Sequence, residues 1–393
     1  MNVLLVVPWD NLGGVCAVVN RVAKHMRAQG HGVYILLPGV GHWPTEGVSR
    51  EGHAMFRLNI RSCGSPTRSL RSRLAFALTL PGTLVALAAL IRRLRIDVIN
   101  VHFPDDSSID FAILRRLGFA KLVTSVHGAD LLPAGTRLQL PQWGVGSLLA
   151  SSDLIVTPSN AYRGSVRQAW PEIAGKSMES IPNGVDPDEL GYCSLDTNSA
   201  SESPYILSIL QLVHYKGADV LIRAFAEVSA EFDAYRLKLV SDGPQRAEYE
   251  ALARSLGIAE RVDFLGKQQR PEVADLLRDC TLFVLPSRSN SESFGIAAAE
   301  AMALDRAVIA SRVGGLPDLV DDEVTGLLVA PGDVAALANA LRRLLDDAVL
   351  RRRLGENAGR KIRAAFLWTH TVVRYEAALR RVVGQAAELT PRP

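Results

Sequence analysis

Two carboxylates eight residues apart, Glu292 and Glu300, bracket a stretch, Ser293-Phe294-Gly295-Ile296, that reads as the opening of a helix. Carboxylates suit hydroxyl-rich ligands, because each accepts two O–H donors in charge-assisted hydrogen bonds. The pattern predicts a helix starting at Phe294-Gly295-Ile296 and capped by Ser293, with free N–H groups and a positive dipole end offered to a diphosphate. Glu292 then lies just before the helix and Glu300 about two turns into it, roughly 9 Å apart along the axis. That span suits a ligand whose diphosphate covers the helix start, with a hexose to one side and a ribose to the other. Read singly, the two acids are an exposed loop acid and an exposed helix acid. The later Gly314-Gly315-Leu316-Pro317-Asp318 weights the pair toward function.

Strands must end where these groups stand. Short β-branched or leucine-rich runs alternate with longer amphipathic ones: NVLLVV, a helix to about Gln29, VYILL, DVINVH (97–102), a helix near 108–117, KLVTSVH (121–127), a helix near 142–150 and DLIVTPS (153–159). Such alternation predicts a parallel sheet wrapped by helices. The pattern breaks at Ile181-Pro182-Asn183-Gly184-Val185-Asp186-Pro187, and Cys193 to Pro204 is polar without periodicity, which places the linker there. A second series follows, YILSIL, RLKLVS, RVDFLG, TLFVLPS, AVIAS and GLLVA with helices between them, so the second domain repeats the architecture of the first. The expected division is 1–188, completed by a returning C-terminal helix in 367–393, and 189–366.

This region, with the rest of the chain, resembles the retaining GT-B glycosyltransferases of family 4, over nearly its whole length. The resemblance implies an α/β fold of two Rossmann-like parallel-sheet domains facing each other across a cleft. It also implies roles. Glu292 contacts donor-sugar hydroxyls, Glu300 the ribose, and the backbone amides of Phe294, Gly295 and Ile296 the phosphate. Where the family has GG-x-P-E, this chain has Asp318 in the last place. In LSILQLVHYKGADVLIRAF, Lys216 occupies the position of the lysine that neutralises the departing diphosphate, while the arginine five residues earlier is replaced by Gln211, which carries no charge. Arg288 and Arg312, on nearby loops, are candidates to fill that deficit, or plain surface arginines. Lys267, after Phe264-Leu265-Gly266, matches the loop that meets the base. Val240-Ser241-Asp242-Gly243-Pro244 reads as a turn beside the nucleotide.

In the first domain, Gly13-Gly14 follows the first strand and opens a helix, where backbone N–H groups can approach phosphate. It is not G-x-G-x-x-G, and the second strand ends LLPGVG with no acid for a ribose, so a dinucleotide-binding reading fails. Within the resemblance this loop closes over the donor diphosphate and the acceptor. His127 ends a strand in SVHGAD, and ligands of open parallel sheets collect at carboxyl strand ends. The family places a histidine there near the donor sugar, and His102 in NVHFPDD is an acceptor-side candidate. Asp105 and Asp106 read as helix caps; Asp130 is a cap or an acceptor-pocket residue. No Asp-x-Asp ends a strand near the presumed phosphates and no His/Cys/Glu cluster occurs, so no metal and no other cofactor is expected. Lys216 and the helix start would meet the leaving charge instead.

At 393 residues, 48% hydrophobic and 22% charged, the chain is long enough for two full cores and ordinary for a globular protein. Cys16, Cys63, Cys193 and Cys280 are scattered, which fits a reducing cytosol. The N-terminus runs into VLLVV without a basic signal-peptide n-region and reads as a first strand. Residues 74–91 form an uncharged run close to the length of a membrane span. Pro81-Gly82 interrupts it, predicting a helix start there and a buried helix over 84–94. Net charge is only +3, yet eight arginines (Arg57, Arg61, Arg68, Arg71, Arg73, Arg92, Arg93, Arg95) and no acid lie between Glu51 and Asp97. They form either a solvated surface or a contact for anionic headgroups or a phosphorylated acceptor. Nucleic acid is disfavoured, since no aromatics interleave with them. The expectation is a cytoplasmic enzyme, peripheral on the inner membrane face if the arginines meet lipid. It would transfer a hexose from a nucleoside-diphosphate sugar to a hydroxyl acceptor, lipid-linked or glycan, with retention, in glycan biosynthesis. The alternatives are an epimerase or phosphorylase on the same fold, or a nucleotide-sugar-binding protein that has lost turnover.

Overall fold

A computed structural model describes residues 1–7, 14–49, 51–62, 70–132, 143–191 and 204–384. Gly13, Arg68, Cys63 and nearly all of the polar stretch 193–204 lie outside the described residues. The chain divides into two compact units, Met1–Pro182 together with the chain from Thr369, and Asn183–Trp368.

The first unit holds strands β1 (Asn2–Val6), β2 (Gly32–Pro38), β3 (Thr45–Val48), β4 (Ala54–Leu58), β5 (Val98–His102), β6 (Lys121–Ser125), β7 (Leu154–Thr157) and β8 (Met178–Ser180). Helices α1 (Gly14–Ala28), α2 (Leu70–Arg93), α3 (Ile109–Arg116), α4 (Trp143–Ser151) and α5 (Asn160–Ala169) connect them. The sheet order is β3-β4-β2-β1-β5-β6-β7-β8. Valine, isoleucine and leucine fill the central strands and are stripped of solvent on both faces: Val3, Leu4 and Leu5 in β1 and Val98 and Ile99 in β5 are fully buried.

Two details depart from the sequence reading. The sheet is mixed, because β3 runs antiparallel to β4. All four residues of β3 are exposed, so this edge hairpin carries no hydrophobic alternation by which it could be read. Second, no helix starts at Pro81: α2 is one helix of 24 residues with Pro81 inside it. Proline removes one backbone donor. On either side of it Thr79 Oγ1 donates to the Ala75 carbonyl at 2.9 Å and Thr83 Oγ1 to the Thr79 carbonyl at 3.2 Å. Leucines and alanines on both sides favour continuation. The buried helix expected over 84–94 is the second half of α2, with Leu87, Leu90 and Ile91 in the core of the unit.

The second unit holds β9 (Tyr205–Ile209), β10 (Arg236–Val240), β11 (Val262–Gly266), β12 (Leu282–Leu285), β13 (Val308–Ser311) and β14 (Leu327–Val329). Its helices are α6 (Ala218–Ser229), α7 (Arg246–Ser255), α8 (Arg270–Asp279), α9 (Ile296–Ala303), α10 (Leu316–Leu319), α11 (Val334–Asp346) and α12 (Ala348–Ala365). All strand pairs are parallel, in the order β11-β10-β9-β12-β13-β14. The order reverses between β9 and β12, the switch point at which loops of an open sheet part and leave a crevice. A last helix, α13 (Trp368–Val382), packs on the first unit. Thr371 donates to the Pro182 carbonyl at 2.9 Å, and Glu376 accepts from His25 and His31 at 2.8 and 3.1 Å.

Candidate functional site

In the second unit the loops leaving β9 and β12 carry Lys216 and Glu292 to the switch point. Lys216 Nζ donates to Glu292 Oε2 at 2.7 Å, and Ser287 Oγ donates to the same oxygen at 2.9 Å. The two loops are tied by backbone as well, Arg288 N donating to the Tyr215 carbonyl at 2.8 Å. This closeness needs Gly217, whose φ is +74° and where a Cβ would stand 2.1 Å from the Pro286 carbonyl oxygen. Behind Glu292, the Gly314-Gly315 turn after β13 grips the main chain. Gly315 N donates to the Glu292 carbonyl at 2.8 Å and Gly314 N to Asn290 Oδ1 at 3.1 Å. A Cβ on Gly314 would stand 2.0 Å from the Glu292 carbonyl oxygen, and its φ of +53° is left-handed. The glycine pair and Glu292, 22 residues apart, are therefore one structure. Its steric reason is the close approach of two loops.

Helix α9 opens beside this loop, but its N-cap is Gly295, with no side-chain cap hydrogen bond. The capping role expected of Ser293 is thus corrected: the helix starts two residues later than its pattern suggested, because Gly295, in the left-handed conformation, turns the chain into Ile296. Ser293 and Phe294 are buried before it. Glu300 is consequently just over one turn into the helix rather than two. It is 8% exposed, and Arg270 at the start of α8 holds its Oε1 at 2.7 Å. Burial raises the Glu300 carboxyl above its usual range; Arg270 opposes this, and nearby Glu189 adds to it.

Gln211 stands exposed just past β9, and Lys267 exposed just past β11, after Gly266. Arg288 pairs with Asp219 at 2.7 Å and Arg312 with Asp322 at 2.6 Å. Both arginines therefore spend their charge on acids of their own surroundings. Arg270, Ser287 and Asn290 escaped the sequence reading. Ser287 and Asn290 lie within the polar run PSRSNSES, where no spacing separates a contact from a loop residue. Arg270 meets Glu300 only because two helices converge.

In the first unit, Gly14 is the first residue of α1. His127 follows β6 and stacks on His102 at the end of β5, ring centroids 5.4 Å apart, with His102 Nδ1 3.1 Å from His127 Nε2. Tyr375 of α13 also stacks on His102, at 6.2 Å, and went unforeseen, being more than 270 residues away in the chain. Burial lowers the His127 pKa to about 4. It holds His102 well below the usual value, and the His127 charge adds to this. Both imidazoles are neutral at neutral pH, and His102 Nε2 is buried without a partner among the described residues. Asp130 braces the loop instead of facing outward: its carboxylate accepts from the backbone N–H of His127, Gly128 and Leu131 at 2.8, 2.7 and 3.1 Å. Asp105 caps the turn 106–108, accepting from Ser107 N at 2.9 Å, and Asp106 accepts from Gly144 N at 3.2 Å.

The two units, each a Rossmann-like α/β layer structure, have the architecture of GT-B enzymes. The structure of sucrose-phosphate synthase from Thermosynechococcus elongatus superposes with a TM-score of 0.77 at 23% identity, over 98% of this chain and 100% of that one. Anabaena HepE in complex with UDP superposes at 0.76 and 19%, over 97% and 100%. Residues 12–189 match Glycosyltransferase Family 4 and residues 196–361 match Glycosyl transferases group 1. The chain is 30% identical to the N-acetyl-alpha-D-glucosaminyl L-malate synthase of Bacillus anthracis over 299 residues, 74% of this chain and 76% of that protein. It is also 30% identical to the D-inositol 3-phosphate glycosyltransferase of Actinosynnema mirum over 341 residues, 79% of each. The chain belongs to the group 1, family 4 glycosyltransferases and is a glycosyltransferase.

Proposed function

We propose that this enzyme transfers a hexose from a nucleoside-diphosphate sugar to a hydroxyl acceptor, with retention at the anomeric carbon and without a metal ion. The observation that carries the reading is the Lys216–Glu292 pair at the switch point of the second sheet, beside the start of α9, whose N-cap is Gly295. The Lys216 ammonium has three N–H donors and Glu292 takes one, leaving donors for a phosphate oxygen. The α9 amides supply further donors and a positive dipole end. Together they answer the charge that grows on the diphosphate as the sugar bond breaks.

Glu292, fixed by Ser287 and by Gly315, orients sugar hydroxyls rather than attacking carbon. Glu300 takes the ribose in this reading, with Arg270 sharing its carboxylate. The neutral His127, half-buried and engaged through Nε2 by the fully buried His102, suits hydrogen bonding to a hydroxyl through its other nitrogen. Retention then proceeds by front-face attack, in which a leaving phosphate oxygen helps remove the acceptor proton. HepE, solved with UDP, and the sugar-transferring relatives favour a nucleotide-sugar donor.

A thermal-shift panel of nucleotide sugars identifies the donor, because a ligand bound to the native state raises its melting temperature by mass action. Turnover of that donor is then followed by NMR in EDTA. Full activity and a product of unchanged anomeric configuration are expected. Loss of activity that magnesium or manganese restores, or an inverted product, would refute the proposal.

A further inference from the structure

Helix α2 is two different helices joined end to end. Its second half is core: Ala86, Leu87, Ala88, Leu90 and Ile91 are buried against the sheet. Within its first half, residues 74–82 (LAFALTLPG) carry no charge, and none of them is buried. Leu74, Leu78 and Val85, at helical spacing along one stripe, are 55%, 81% and 60% exposed. Two leucines and a valine sharing one water-facing stripe form an apolar surface of the kind that interaction sites use.

We propose that this half-helix is an interfacial membrane element, lying in the headgroup layer of an anionic bilayer with Leu74 and Leu78 reaching the acyl boundary. Three features commit the surface to lipid. The first is charge: the sequence leading into the helix carries arginines and no acid, and Arg71, in the first turn of the helix, is exposed, where it can meet lipid phosphate. The second is Trp43, 61% exposed, beside Val40, 91% exposed, in the loop after β2. In that loop the Gly41 carbonyl accepts from Asn59 N at 3.2 Å, so it lies against the exit of β4. Tryptophan is favoured at the membrane interface. The third is anchoring. Residues 74–93 have the length and mean hydropathy, 2.2, of a span. Crossing the bilayer would strip Leu87, Leu90 and Ile91 from the sheet, so the helix lies on the membrane and does not pass through it.

This inference does not use the donor chemistry, and its test needs no donor. The full-length protein is sedimented with phosphatidylcholine vesicles with and without phosphatidylglycerol, over a salt series. Association should rise with the anionic lipid and fall with salt. Leu78→Glu should weaken partitioning by about tenfold or more, the loss expected for one leucine withdrawn from an apolar environment. The side chain is so exposed that the fold survives, which circular dichroism checks. Val349→Glu, a change at a comparably exposed apolar residue of the second unit (71%), should leave partitioning unchanged. Equal partitioning of Leu78→Glu and wild type overturns the proposal, as does absence of binding to anionic vesicles at low salt. A vesicle-independent dimer that Leu78→Glu abolishes would also overturn it, showing that a second copy covers the stripe.

Discussion

At the carboxyl edge of the second sheet, ionisable side chains face one another as opposite charges, Lys216 with Glu292 and Arg270 with Glu300. At the same edge of the first sheet they are stripped of water. His102 and His127 are held neutral, and burial raises Asp130 to about 6 and Asp110, in the first turn of α3, to about 7. One fold thus presents two electrostatic surfaces. Paired charges at the edge offset one another's desolvation and can exchange partners with an incoming anion. Neutral buried groups can only donate and accept hydrogen bonds, which suits uncharged hydroxyls.

The largest expected effect comes from removing a charge of the first kind. Lys216→Ala should cost on the order of 2.7 to 4 kcal/mol of barrier, the range for loss of one preorganised donor, while Gln211→Arg keeps or raises turnover. Pre-steady-state kinetics separate the chemical step. An unchanged step in Lys216→Ala would show that the paired edge is structural only.

Asp110 tests the other edge. Its Oδ1 has no hydrogen-bond partner among the described residues, and its folded pKa of about 7 lies above the ordinary 3.8. The folded state therefore binds the extra proton, and stability falls as pH rises through that window. The loss between pH 5 and 8 is about 2 to 3 kcal/mol. Asp110→Asn should abolish this slope in denaturant titrations, leaving the variant more stable than wild type at pH 8. An unaltered slope would mean that the carboxyl ionises freely.

Glu300→Ala should weaken donor binding by about 1.5 to 3 kcal/mol, the worth of hydrogen bonds to a charged group, whereas Glu292→Ala should chiefly lower kcat. Calorimetry and steady-state kinetics on the pair decide this. Equal, negligible effects would remove both acids from the site.

The smallest effect belongs to His127. Its folded pKa of about 4 lies below the unfolded value, so stability is present above 6.5 and drains as pH falls toward 4, by about 1 to 2 kcal/mol between pH 7 and 5. This slope is opposite in sign to that of Asp110, and His127→Gln should flatten it. Persistence of the acid limb in the variant would assign it to His102 alone.

Much of this was legible in the sequence for local reasons. Strand and helix periodicities and the glycine turns are short-range signals, so both Rossmann-like series, the Glu292–Gly295 loop and the Gly314-Gly315 turn could be read in order along the chain. Hairpin β3–β4 was missed because an exposed edge leaves no alternation, and α2 was cut at Pro81 because a proline signal is local and cannot register the packing of Leu87, Leu90 and Ile91 in the core of the unit. The site divided along the same line. Glu292, Glu300 and Lys216 were recognisable by type and spacing. That Lys216 holds Glu292 across 76 residues, that Arg270 shares Glu300, and that Tyr375 stacks on His102 was decided by tertiary structure. So was the neutral state of the histidines. A side chain's type is local, but its partners and its dielectric surroundings depend on residues that only folding brings near.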